Sequence, residues 1–159
     1  MAVPRVLRLG IVIVGAALLS TPVAVASPDD GICVGPRPTF DVAAERSLRT
    51  MTNVYRVQHG LRPLRAAGRL TRVARNHSLA MARADSFAHS GSSGRFPWAG
   101  SRAAAENLAL GGTAEVVMDL LKNSTTHRDI LLASSYRRFG IGVLVTCTGY
   151  LLVTEDFTS

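Results

Sequence analysis

Three residues that can bind a metal or move a proton lie far apart along the chain: His89, Glu106 and His127. Two imidazoles and one carboxylate can hold a Zn²⁺ ion and leave a coordination position for water. The carboxylate can instead hydrogen-bond one imidazole and fix its tautomer. Both uses require the three side chains to lie close in space, which their spacing does not establish. Unrelated surface positions are the alternative interpretation.

His77 lies on the apolar stripe of a predicted helix, between Ala74 and Met81. A histidine there is more often a hydrogen-bonded residue of a core or a cleft wall than a metal ligand. We therefore place His77 in the wall of the cleft and leave it out of the predicted metal ligands. His59 lies at a predicted helix end, where the helix dipole favours a cation, and needs no further role.

Common hydrolase signatures are missing from the sequence. Gly91-Ser92-Ser93-Gly94 lacks the Gly-x-Ser-x-Gly spacing of a strained nucleophile turn. No His-Glu-x-x-His motif of a zinc protease is present. The two cysteines have no close Cys or His neighbours of the kind found in metal or catalytic sites.

Helical periodicity predicts the elements that must position these residues. Asp41 is a typical N-cap for a first helix that ends at His59-Gly60. A second helix is predicted from about Gly68 to Asp85, and a third is predicted to begin after Thr113. Thr126 followed by Asp129 resembles a capping box, so His127 is expected in the first turn of a short fourth helix.

Strand signals lie between and after these helices. Glu106 to Leu110 is a short candidate strand, and alternation after Gly140 with a turn at Thr148-Gly149 predicts a hairpin that ends near Phe157. Because an isolated hairpin is marginal in water, helices must cover it. The predicted fold class is α+β, an α-β-α sandwich with a small antiparallel sheet covered by helices.

The first residues resemble an export signal. Arg5 and Arg8 precede an apolar run, and Ala24-Val25-Ala26 offers small residues for cleavage. A retained anchor is the alternative, but the run is shorter than the roughly 20 residues that a membrane span requires. We predict a signal peptide at residues 1–26 and a secreted protein with no stable membrane anchor. An extended segment is expected at 27–40 and one domain at 41–159.

Cys33 and Cys147 are the two cysteines of the chain. In an oxidising compartment an even pair is most simply one disulfide, with two free thiols as the alternative.

The chain is basic, with 18 Lys and Arg against 11 Asp and Glu. The basic residues include the following series near the second helix: Arg62, Arg65, Arg69, Arg72 and Arg75. A solvated helix face is the favoured interpretation, and contact with anionic lipid, wall polymer or nucleic acid is the alternative. No aromatic residues are interleaved with these arginines for base stacking, so no nucleic-acid partner is expected.

Six segments in order resemble the CAP superfamily of cysteine-rich secretory, antigen 5 and pathogenesis-related 1 proteins. They are Asn53–Leu61, Ala74–Met81, Phe87–Ser90, Ala105–Ala109, Asn123–Leu131 and Gly140–Val143. The resemblance implies an α-β-α sandwich whose cleft holds His89, Glu106 and His127. Ser124 stands where many eukaryotic relatives have a second glutamate. Ala105 replaces a usual glycine, and Glu155 replaces a frequent glutamine.

Three functions are compatible with these observations. The favoured one is a secreted, non-enzymatic binding module for a lipid-like or small apolar ligand, or for a host or cell-envelope partner; the lipid ligand is implied by the resemblance. The second is a hydrolase in which His89 and His127 hold zinc, with Glu106 as ligand or general base. The third is a structural extracellular protein.

Overall fold

Five strands and four helices make up the part of the chain that the computed structural model describes, residues 32–90 and 102–159. The predicted signal peptide at 1–26 lies outside these residues, as does Gly91-Ser92-Ser93-Gly94. None of the described helices is long and apolar enough to cross a membrane.

The elements have the following bounds. The strands are β1 (Thr39–Phe40), β2 (Arg65–Ala66), β3 (Ala104–Gly111), β4 (Arg138–Val145) and β5 (Leu151–Thr158). The helices are α1 (Val42–Gln58), α2 (Gly68–Ala84), α3 (Ala114–Asn123) and α4 (Thr125–Leu132).

The sheet has the order β1-β4-β5-β3, in which neighbouring strands are antiparallel, and β2 adds a short parallel pair to β4. Side chains alternate between the two faces of a strand, and both faces are covered. Leu108, Leu144 and Leu152 pack with Met81 of α2 on one face. Ile141 and Val153 lie on the other face, in a core with residues of α1, α3 and α4. The predicted α-β-α sandwich is confirmed.

Most of the predicted helix ends are confirmed. Asp41 Oδ1 accepts a hydrogen bond from Ala44 N at 2.9 Å, which caps α1, and Gly60 takes a positive φ of 71° after its end. The prediction of a Thr126–Asp129 capping box is wrong. Ser124 is the N-cap of α4, and no side-chain hydrogen bond caps this helix. The helix begins earlier because α3 and α4 share Ser124 as their common boundary.

Arg56 of α1 is a buried side chain that hydrogen-bonds to the C-terminal end of α4. It is only 1% exposed. Its guanidinium donates to Leu131 O at 2.6 Å, to Ala133 O at 3.0 Å and to Arg62 O at 3.1 Å. The carbonyls at the end of α4 thereby gain the partners that a helix C-terminus lacks, and the orientation of α4 relative to α1 is fixed.

A disulfide joins Cys33 to Cys147, as predicted, with their Cα atoms 5.4 Å apart. The main chains also meet here, because Cys147 N donates to Cys33 O at 3.1 Å. Nearby, Ile32 N donates to Asp85 Oδ1 at 2.6 Å. The segment before β1 is therefore attached both to the β4–β5 connection and to the end of α2.

Candidate functional site

Glu106 of β3 is the centre of a hydrogen-bond cluster. Its Oε1 accepts from His89 Nδ1 at 2.9 Å and from Ser90 N at 3.0 Å. Its Oε2 accepts from Ser90 Oγ at 2.8 Å and lies 3.6 Å from His77 Nε2. The Glu106 side chain is 4% exposed. The carboxylate is thus buried, and both of its oxygens accept hydrogen bonds from the segment that follows α2.

His89 reaches Glu106 because α2 ends sharply. Asp85 is the C-cap of the helix and has a positive φ of 46°, which turns the chain away from the helix axis. The His89 side chain is 60% exposed although its Nδ1 contacts a buried carboxylate. A hydrogen bond at Nδ1 places the proton there and leaves Nε2 as a basic nitrogen.

His77 of α2 lies beside this cluster. Its Nε2 donates to Ala88 O at 3.1 Å, on the segment that carries His89. Its Nδ1 is buried and has no hydrogen-bond partner among the described residues. The side chain is 12% exposed, so it contacts the cluster from the helix side.

His127 lies in the first turn of α4. Its main-chain oxygen accepts from Asn107 Nδ2 at 3.3 Å, which links α4 to the residue after Glu106. Burial lowers the pKa of His127 below its ordinary value of 6.5, and the charge of His89 lowers it further. The imidazole is therefore neutral at pH 7 and electrostatically coupled to His89. Ser124, the N-cap of α4, precedes it by three residues.

Two carboxyl groups on β5 are buried close to this region, of which the sequence analysis had noted only Glu155. Asp156 pairs directly with Glu106 across β3 and β5, and Glu155 pairs with Asn107. Burial raises the pKa of Glu155 to about 7, against a lowering hydrogen bond from Asn107. Burial, followed by the charges of Glu106 and Glu155, raises the pKa of Asp156 to about 8. Asp156 is therefore mostly protonated at neutral pH.

The sequence analysis assigned no role to Ser90 or to Asp156. Ser90 follows His89 in the segment Phe87–Ser90, in which only the histidine was assigned a function. Asp156 becomes a neighbour of Glu106 only through the register of β3 and β5. Ala105 stands where the family usually has glycine, and an alanine would be strained there if the position required a positive φ. It lies within β3, and Asp85 is the one non-glycine residue with a positive φ in the described parts, so the replacement of glycine causes no strain of that kind.

The donor set fits a metal only in part. No group of three or more His, Cys, Asp or Glu side chains in the described parts of the chain has an arrangement that could hold an ion. Glu106 uses both oxygens in hydrogen bonds with His89 and Ser90. The imidazoles of His89 and His127 remain as nitrogen donors, with Glu106 orienting the first of them.

Comparison with known proteins agrees with this fold. Residues 49–157 match the family model described as CAP, cysteine-rich secretory protein family. A search of curated proteins finds no significant match.

Solved structures from several organisms resemble the chain. An outer surface protein from Borrelia burgdorferi aligns with a TM-score of 0.71 and 17% identity, over 77% of this chain and 97% of that one. An extracellular protein with an SCP domain from Bacillus anthracis aligns with a TM-score of 0.66 and 24% identity, over 73% and 40%. A cysteine-rich secretory protein from Staphylococcus aureus gives 0.61 and 23%, over 73% and 38%. The chain thus spans about two fifths of the last two proteins, and these identities establish a shared fold alone.

Proposed function

Since the chain belongs to the CAP, or cysteine-rich secretory protein, family, we propose that it is an extracellular binding protein whose cleft recognises a lipid-like ligand. The relatives named above as an outer surface protein and an extracellular protein support the location. Export by the predicted signal peptide at residues 1–26 is part of the proposal.

The hydrogen bonds that the Glu106 carboxylate already accepts are the reason for preferring binding over hydrolysis. A general base must offer a lone pair to the proton that it removes. Both oxygens of Glu106 are engaged by His89 and Ser90, and the carboxylate is buried. Such a group orients its neighbours well and activates water poorly. A recognition cleft built on a fixed carboxylate is the function that this arrangement supports best.

An exposed aromatic side chain next to the polar cluster supports an amphipathic ligand. Phe87 is 50% exposed and precedes His89 by two residues. An apolar group beside a polar cluster suits a ligand with an acyl chain and a polar head, because pockets combine apolar contacts with few polar anchors. The head group would contact the exposed imidazole of His89, and the chain would lie against Phe87.

Native mass spectrometry after incubation with a bacterial lipid extract tests this function. We expect a stoichiometric lipid adduct on the purified protein and at least about a tenfold loss of adduct in Phe87→Ala, since burying an aromatic side chain contributes about 2 kcal/mol. Leu120→Ala is the matched control, because Leu120 is similarly exposed at 44% but lies on α3. Absence of adducts across all lipid classes would refute the proposal. Equal losses in the two variants would assign binding to nonspecific apolar contact.

Zinc binding by His89 and His127 is a second candidate function. The observation that favours it is that burial, followed by the charge of His89, lowers the pKa of His127 and favours its neutral ring. Neutral imidazole is the form that binds Zn²⁺. Zinc would supply a Lewis acid for ligand head groups, while Glu106 would hold His89 Nδ1 and direct its Nε2 outward.

A further inference from the structure

A group of exposed arginines gathers at one end of the sheet. The strand β4 begins there, β5 ends there and β3 begins there, because Thr158 pairs with both Arg138 and Ala104. The helix α2 also starts at this end, since its Leu70 and Thr71 lie against Gly140. We call this region the arginine end and define it by its exposed members: Arg65, Arg69, Arg72, Arg102 and Arg138.

The backbone brings some of these arginines directly together. Arg65 of β2 and Arg138 of β4 are register partners, and Arg65 N donates to Arg137 O at 2.9 Å. Like charges directly opposite each other on neighbouring strands are destabilising. Arg138 Nη2 donates to the main-chain oxygen of Ser159 at 2.9 Å, and Ser159 Oγ accepts from Arg102 N at 3.1 Å. Four segments of the chain therefore contribute positive charge to one region.

Acidic side chains do not balance this charge. Within residues 32–90 and 102–159, no member of the arginine end forms an ion pair with a carboxylate side chain, whereas Arg49 and Arg75 both pair with Glu45. Four of the nine acidic residues in these ranges are buried, namely Glu45, Glu106, Glu155 and Asp156. The surface is thus more basic than the composition indicates.

We propose that the arginine end is a docking surface for the anionic phospholipid headgroups of a bilayer. Guanidinium groups bind phosphate oxygens in a bidentate manner and remain charged at every physiological pH. The arginines are exposed on four separate segments, which suits an extended anionic surface better than one small anion. No arginine of this region bonds to Glu106, whose partners in the described ranges are His77, His89 and Ser90, so occupation of the arginine end does not depend on the ligand proposed for the cleft.

The chemistry of the neighbouring side chains favours lipid over nucleic acid. Phe87 is the only exposed Phe, Tyr or Trp in the described ranges, and it follows the opposite end of α2. Among residues 32–90 and 102–159, the arginine end therefore offers no exposed aromatic side chain on which a base could stack. In the described parts of the chain, the large exposed apolar side chains lie on α1, on α3 and after α2. Docking by headgroup contact without insertion is the mode that these residues allow.

Co-sedimentation with vesicles tests the docking surface. The probe is a vesicle of equal parts phosphatidylcholine and phosphatidylglycerol, compared with phosphatidylcholine alone, at low and high salt. The wild-type protein is expected to bind the anionic vesicles and to be released by salt. Each arginine near an anionic surface contributes about fivefold in affinity. The triple variant Arg65→Ala/Arg69→Ala/Arg138→Ala should therefore bind about a hundredfold more weakly.

Matched variants separate this surface from overall charge. Arg37→Ala/Arg46→Ala/Arg83→Ala removes the same charge from exposed positions elsewhere and should retain most of the binding. Should the first triple variant fail to fold, the charge-preserving Arg65→Lys/Arg69→Lys/Arg138→Lys variant must still bind anionic vesicles. Leu120→Ala, at an exposed apolar position of α3 outside both proposed sites, should bind vesicles like the wild type.

Three results would overturn the proposal. The first is equal binding to the neutral and anionic vesicles. The second is an equal loss of binding in the two alanine triple variants, which would leave only net charge as the cause. The third is binding of duplex DNA as tight as that of the vesicles and equally reduced by Arg65→Ala/Arg69→Ala/Arg138→Ala, which would make the surface a general polyanion site.

Discussion

Glu106 connects three stretches of chain that are distant in sequence. It lies on β3 and accepts hydrogen bonds from the side chain of His89 and from the main-chain N and the hydroxyl of Ser90. Its Oε2 also lies 3.6 Å from His77 Nε2 of α2. A buried carboxylate is stable in a protein only when its lone pairs are satisfied. The segment after α2 supplies three hydrogen bonds, so the position of His89 and Ser90 depends on the same bonds that stabilise the buried acid.

Calorimetric titration with zinc chloride tests the two imidazoles as ligands. The wild-type protein is expected to bind zinc, and His89→Ala/His127→Ala is expected to give no binding isotherm, because both nitrogen donors are removed. Glu106→Gln should bind about 10- to 100-fold more weakly, the usual cost of losing an orienting partner. His59→Ala is the control, since His59 lies at the end of α1. Identical isotherms for the wild type and the double variant would eliminate this pair as the zinc site.

Site residues that lie in a sequence motif could be predicted, whereas a neighbour set by strand register could not. His89, Glu106 and His127 could be named from the resemblance because each lies in a recognisable segment. The contact of Glu106 with Asp156 could not, because it depends on which residues of β3 and β5 stand opposite each other. Register arises from the packing of whole strands, and a shift of one residue would move every side chain to the other face.

The packing of α2 on β4 covers the face of the sheet on which Glu106 and its hydrogen-bond partners lie. A Cβ atom at Gly140 would overlap the backbone of Leu70 and Thr71, and one at Gly142 would overlap Ala74 and Arg75. Helix and strand backbones therefore touch with no side chain between them. Ser78 Oγ completes this contact, since it lies 3.2 Å from Gly142 O and 2.8 Å from Thr154 Oγ1.

Gly142→Ala should destabilise the fold by about 3 kcal/mol, since overpacking a rigid contact costs about 1–3 kcal/mol and backbone atoms cannot yield as side chains do. Urea denaturation of the variant and the wild type measures this change. Gly112→Ala is the matched control, because a Cβ atom there meets nothing within 4 Å. A Gly142→Ala protein as stable as the control would show that α2 can shift away from β4 at little cost.

Helix bounds were more predictable than strand burial. Asp41, Gly60 and Thr113 gave local signals for helix ends, and the structure places the ends at those positions. The strand β5 reads as an ordinary hairpin partner, yet every residue from Leu151 to Thr158 is buried. Helices cover both faces of the sheet, and local alternation cannot report the second covering layer.

Across the whole molecule, two acidic side chains lie inside opposite faces of one central strand. Glu155 faces the layer of α1, α3 and α4, and Asp156 faces the layer of α2, because successive residues of β5 point in opposite directions. Glu155 Oε1 and Asp156 Oδ2 are buried without hydrogen-bond partners among the described residues. An unpartnered carboxyl is less costly to bury when protonated.

Stability should consequently fall as the pH rises from about 5 to about 8.5. The folded pKa values of Glu155 and Asp156, about 7 and about 8, lie above the ordinary values of 4.5 and 3.8. The folded state therefore holds protons that the unfolded chain has already released, and the resulting stabilisation is lost as the pH passes the pKa values of the folded state.

Glu155→Gln/Asp156→Asn removes both titrations and should be more stable than the wild type by a few kcal/mol near pH 8.5, with a much smaller difference near pH 5. His127, whose lowered pKa acts with the opposite sign, is present in both proteins, so its effect cancels in the difference. Urea denaturation across this pH range measures the free energy of unfolding of both proteins. If the difference between the two proteins were the same at every pH, the ionisation of Glu155 and Asp156 would not contribute to the stability of the fold.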